Sequence, residues 1–199
     1  MGKTEPTYLI LIPRGQTCWE KEDRLVGSAD LPLSSEGLEQ VDRWGEQLKT
    51  IGIDILFSAV GGPTEQTARM LAGACHVRAR IEPCLTEVDL GLWQGMAVAD
   101  VKLRHPRVYK QWIEKPDSVT PPEGESLASA MDRIDQCVAR IVRKNKEMRI
   151  GVVIGPFALA LARLSREGRQ IGEVWNLMKE PLTWHKYLVE NNCDDSDDL

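Results

Sequence analysis

Tyr8-Leu9-Ile10-Leu11-Ile12-Pro13-Arg14-Gly15-Gln16-Thr17 is the stretch from which the fold is read. Tyr8 to Ile12 is a short, unbroken apolar run of the kind that forms a buried strand of a parallel sheet. Pro13 and Gly15 stop the strand and turn the chain. In an open α/β sheet the carboxyl end of a strand is where ligands bind, so Arg14, Gln16 and Thr17 become the first candidate site residues.

Strand and helix patterns alternate from there. Leu38, Val41, Gly45 and Leu48 recur at helical spacing, with Ser34 or Ser35 as cap and Gly52 as stop. Asp54 to Ser58 reads as a second buried strand. Gly61-Gly62-Pro63 opens a helix that runs to about Gly73. Val77, Ala79 and Ile81 alternate with Arg78 and Arg80, which predicts a strand with one wetter face near the sheet edge. Trp19 to Asp30 reads as loop, as do Pro83 to Gly95 and the proline-rich Lys115 to Gly124.

Two short helices are expected around Val98–Arg104 and Val108–Glu114. Ser126 to Lys146 is the strongest helix, with Leu127, Met131, Ile134, Val138 and Ile141 in one stripe. Ile150 to Ile154 reads as a buried strand, Phe157 to Leu164 and Val174 to Met178 as helices, and Leu182 to Val189 as a last strand. The expected architecture is α/β: three layers, a mostly parallel sheet with helices on both faces. Residues 1–193 are expected to form a single domain, and the Asp-rich 194–199 a frayed acidic tail.

Composition narrows the function classes. The chain has 199 residues, 42% of them hydrophobic, enough for a sizeable core. A net charge of −5 leaves no basic footprint for nucleic acid. No apolar run is long enough to span a bilayer, and no signal pattern opens the chain. Five Cys are scattered without C-x-x-C spacing, so reduced thiols in a cytoplasmic protein are expected, with no disulfide framework. Cys18 beside the cleft lacks a neighbouring base to serve as a nucleophile. His76, His105 and His185 are not spaced as metal ligands, and neither metal nor cofactor is expected.

The motifs resemble those of the histidine phosphatase superfamily, the phosphoglycerate-mutase-like proteins. Thr17, Trp19, Arg24, Gly27, Asp30, Pro32-Leu33, Gly37 and Gln40 stand at that family's spacings after the opening turn. Gln66-Thr67-Ala68, then Leu85, Glu87, Gly91, Trp93 and Gly95, then Pro122 to Ser126, then Val152-Val153-Ile154 continue the likeness to about residue 190. In that family two His and two Arg surround the phosphoryl group, one His being the nucleophile. The resemblance places Pro13, Arg14, Pro63 and Gly155 at those four positions. It matches Glu87 to the acid that protonates the leaving group, and puts Glu20 where an Asn lies near the phosphate.

The scaffold motifs are kept while all four phosphate-contacting groups are replaced. Arg14 cannot replace an attacking imidazole, because its guanidinium stays charged. Arg14, Glu20 and Glu87 sum to a formal charge of −1, unsuited to a phosphoryl dianion. The plainer reading of Arg14 is a salt bridge to Glu87 or Glu20. The expectation is therefore a catalytically inactive member of the fold with a binding or regulatory role. Its candidate cleft is Arg14, Gln16, Thr17, Glu20 and Glu87, and its partner is a protein or a small molecule. Two rivals stand beside it. One is an active phosphomonoester hydrolase or mutase with a rebuilt site, which needs His76, His105 or His185 in the cleft. The other is a small-ligand binder whose acidic cleft prefers cations.

Overall fold

The computed structural model describes residues 5–189. The acidic tail expected at 194–199 lies outside the described residues. Five strands form one sheet: β1 (Thr7–Pro13), β2 (Ile55–Ser58), β3 (Ala79–Ile81), β4 (Arg149–Ile154) and β5 (His185–Val189). Their order is β3-β2-β4-β1-β5, parallel except for the antiparallel pair β1 and β5.

The opening apolar run has no polar face because β1 is central and covered on both sides. Leu9 and Leu11 point into one core, Ile10 and Ile12 into the other. The first core is closed by α6 (Leu127–Lys144) and α7 (Pro156–Arg166), through Ile134, Val138, Ile141, Ala158 and Leu161. The second is closed by α2 (Ser35–Ile51) and α3 (Gly62–Cys75), through Val41, Trp44, Leu48, Ala68 and Leu71. The expected layering is what these contacts build.

Helix ends follow their local chemistry. Ser34 caps α2 by accepting from the Gly37 N–H at 3.1 Å, and Gly52 ends it in the left-handed region at φ 73°. Ser126 caps α6 in the same way through Ser129 N–H. α4 (Val98–Arg104), α5 (Pro106–Glu114) and α8 (Val174–Met178) complete the helices, with α5 starting two residues before the expected position.

Some expectations are corrected. The loop expected over Trp19–Asp30 begins with a helical turn, α1 (Cys18–Lys21), held by a reciprocal Thr17/Glu20 capping box. β3 is only three residues long and exposed throughout, as the edge strand of the sheet. The last strand starts at His185 rather than Leu182. Finally, Cys84 and Cys137 form a disulfide, against the expectation of reduced thiols. Their separation of 53 residues has no sequence signature; the pairing arises because α6 packs beside the turn at Pro83–Leu85.

Candidate functional site

The sheet topology assembles the site. β1 and β4 are parallel neighbours with Pro13 opposite Ile154, so the turns after them lie side by side. The Arg14 N–H donates to the Ile154 carbonyl at 2.9 Å, extending the ladder one step past β1. The loop then lies against the start of α2, where a Cβ at Gly37 would strike the Gln16 backbone. Gly15 N–H donates to Thr67 Oγ1 at 3.0 Å, and that hydroxyl donates to the Pro63 carbonyl at 2.8 Å. Thr67 thus ties the first loop to the start of α3.

Arg14 is buried, at 2% exposure, beneath this crossing. Its Nη1 donates to Glu20 Oε2 at 3.0 Å and to the Gly15 carbonyl at 2.9 Å. Glu20 Oε2 also accepts from Thr17 N–H at 2.6 Å and Thr17 Oγ1 at 3.1 Å. Of the two salt-bridge partners expected for Arg14, the one formed is Glu20. Arg14 Nε and Nη2 have no hydrogen-bond acceptor among the described residues.

Glu87 sits opposite, in the loop between the turns Pro83–Leu85 and Gly91–Trp93. Its carboxyl reaches the first turn of α7. Oε2 accepts from Phe157 N–H at 2.9 Å, and Oε1 from Ala158 N–H at 2.8 Å and Val88 N–H at 2.7 Å. An anion is at home at a helix N-terminus, and here the protein's own side chain takes that place. Gly155 makes room for it: a Cβ at 155 would lie 2.6 Å from Glu87 Cδ. The Gly155 backbone is ordinary, at φ −73° and ψ 168°, so the need for glycine is one of space. Burial pushes the Glu87 carboxyl above its usual range, opposed by the three N–H donors and by the positive Arg14.

A cavity of about 150 Å³ opens between these two carboxylates. Arg14, Glu20 and Glu87 form its polar floor. Leu25, Val26, Phe157, Trp175 and Met178 form apolar walls. Of the candidate cleft residues, Arg14, Glu20 and Glu87 are brought together. Gln16 and Thr17 are not on the lining: Gln16 N–H donates to Gln40 Oε1, and Thr17 is fully buried against Glu20. Pro13, Pro63 and Gly155 are likewise behind the surface. The apolar wall went unread in the sequence, because Trp175 and Met178 lie far along the chain and reach the cavity through packing of α8 on α7.

None of His76, His105 and His185 is on the cavity lining. His76 ends α3, at the end away from Pro63. His105 joins α4 to α5. His185 lines a separate, smaller cavity with Arg163, and burial and that arginine lower its pKa. The one group with metal-ligand spacing among the described residues is Glu82, Cys84 and Cys137. Its two sulfurs are bonded to each other, so they are not ligands in this state.

The family model described as histidine phosphatase superfamily (branch 1) matches residues 9–193. The chain belongs to that family. It is 26% identical over 168 residues to phosphoserine phosphatase 1 of Hydrogenobacter thermophilus, covering 84% of this chain and 80% of the relative. It is 29% identical over 131 residues to a probable phosphoglycerate mutase GpmB of an Enterobacter species, covering 66% of this chain but 61% of that protein. Among solved structures, "Mycobacterial hydrolase 1" superposes with a TM-score of 0.82 at 22% identity, over 90% of each chain. A putative alpha-ribazole-5'-P phosphatase from Escherichia coli gives a TM-score of 0.82 at 21% identity, over 94% and 92%. These structures share the fold of this histidine phosphatase superfamily member. No helix among its described residues is long and apolar enough to cross a membrane.

Proposed function

We propose that this protein is a catalytically inactive member of the histidine phosphatase superfamily with a binding or regulatory role. The observation that carries the reading is the cavity lining: among the described residues it holds no imidazole, and the residue at the nucleophile's place, Arg14, is paired to Glu20.

Among the described residues, the cleft lining holds neither an imidazole nor a thiol: Arg14 is permanently charged, and Cys18 is exposed and off the lining. Removing a nucleophile costs about 10⁶ in kcat in a well-studied protease, whereas a lone general acid supplies about 10²–10⁴. The four replaced positions, Pro13, Arg14, Pro63 and Gly155, are read as one coordinated loss of phosphate binding. A cytoplasmic location belongs to the same proposal.

The test is a panel of phosphomonoesters, phosphoserine and 3-phosphoglycerate included, with acid-quench trapping of any phosphoenzyme. The expected result is no turnover above that of an Arg14→Met preparation. Turnover of about 1 s⁻¹ or faster that disappears in Arg14→Met would refute inactivity.

A further inference from the structure

We propose that the cavity between Arg14 and Trp175 binds a compact, uncharged ring compound through one hydrogen-bond-accepting oxygen. The proposal deepens the reading above and rests on it for the absence of phosphoryl chemistry. Three observations support it.

The first is size. The cavity holds about 150 Å³, and an apolar protein cavity of about that volume accepts benzene. The second is the wall. Phe157 and Trp175 meet edge to face at 5.6 Å, and Leu25, Val26 and Met178 complete an apolar surround. The Trp175 indole N–H is already spent on the Trp112 carbonyl, so this wall offers a ring face and no competing donor. The third is the floor. Arg14 is 98% buried and lines the cavity, yet only Nη1 of its guanidinium is engaged. Donors on Nε and Nη2 are left over where Arg14 lines the cavity. An acceptor oxygen on the ligand would satisfy them.

Charge decides between acceptors. Arg14 is paired with Glu20, and Glu87 adds a second carboxyl beside it. Arg24 at the rim is turned to Glu22 and the Gly95 carbonyl. An anionic ligand would therefore meet two carboxyls against one engaged guanidinium. A cation would meet the guanidinium and the apolar wall. A neutral carbonyl avoids both penalties. Against a cation stands the engagement of both acidic groups, each of which already accepts N–H donors.

The experiment is a titration of the full chain, followed by protein NMR, with four probes of similar size: benzamide, toluene, benzoate and phenyl phosphate. Benzamide is expected to bind saturably and to shift the Phe157 amide and Trp175 indole resonances. Toluene and benzoate are expected to bind about tenfold more weakly. Leu25→Trp, or Met178→Trp should the first fail to fold, fills the cavity from a half-exposed wall position and should abolish the shifts. Arg14→Met should weaken benzamide about tenfold and leave toluene unchanged. Toluene or benzoate binding as tightly as benzamide would overturn the proposal. So would the absence of benzamide binding, or shifts that survive both blocking variants. Hydrolysis of phenyl phosphate would instead refute catalytic inactivity, a separate failure with a separate signal.

Discussion

Replacing Gly155 with Ala should be far more damaging than its ordinary backbone suggests. The new methyl would lie 2.6 Å from Glu87 Cδ, and the carboxyl would have to leave the start of α7. Phe157 and Ala158 N–H would then lose their acceptor. Each buried donor left unpaired costs about 1–3 kcal/mol, so about 4 kcal/mol is a central figure for the pair. Two intrinsic effects nearly cancel: alanine is a poorer N-cap than glycine, but it also stiffens the unfolded chain. For a domain of this size, about 4 kcal/mol lowers Tm by about 8–16 °C. The decisive measurement is a double-mutant cycle followed by thermal unfolding. With Glu87→Ala already present the carboxyl is gone, and adding Gly155→Ala should cost almost nothing further. If Gly155→Ala costs the same in both backgrounds, or under 1 °C alone, the claim that glycine is there to seat Glu87 is wrong.

The other predictions concern charge and cross-links. Glu87 titrates above its unfolded value of about 4.3, so its stabilising contribution is full below that pH and is lost as pH rises through the folded pKa. Melting wild type against Glu87→Gln from about pH 4 to pH 8 should show wild type losing ground as pH rises; the opposite trend would reverse the assignment. Tyr187 donates to Glu167 at 2.8 Å, and burial with this bond lifts its phenol to about 12. Ultraviolet titration should find one tyrosine ionising near pH 12, missing in Tyr187→Phe, and the associated stability should fall between about pH 10 and pH 12. Reducing the Cys84–Cys137 bond reopens a 53-residue separation, worth about 4 kcal/mol in the chain-entropy relation. Calorimetry with and without dithiothreitol should show a clear drop in Tm, and Cys137→Ser should make the scan insensitive to reductant. Glu20→Ala leaves the buried Arg14 without its counter-charge and should lower stability by about 3 kcal/mol, more than Glu20→Gln.

The sheet was legible because its signals are local. Tyr8–Ile12 and Ile150–Ile154 are short apolar runs bounded by proline or glycine, and they became central strands. Ser34 and Ser126 announced their helices by capping chemistry alone. The site was legible in part. Arg14, Glu20 and Glu87 were placed together by motif order, and the structure joins them in one cavity floor. What stayed hidden depends on packing between distant segments. Charge counting could not reveal that Glu87 faces the N–H groups of α7 rather than Arg14. Nor could it find Trp175 and Met178, or the 84–137 cross-link, since no spacing rule links them to the first loop.

The fit between positions 87 and 155 also constrains the order in which this protein could change. A bulky ring at 155 cannot arrive while the carboxyl is seated, and a carboxyl that departs first leaves a helix end bare. Either single step is a descent in stability, and enlarging the glycine after the acid has gone adds almost no further loss. The two residues behave as a latch, and history can undo it only by lifting the acid before enlarging the glycine.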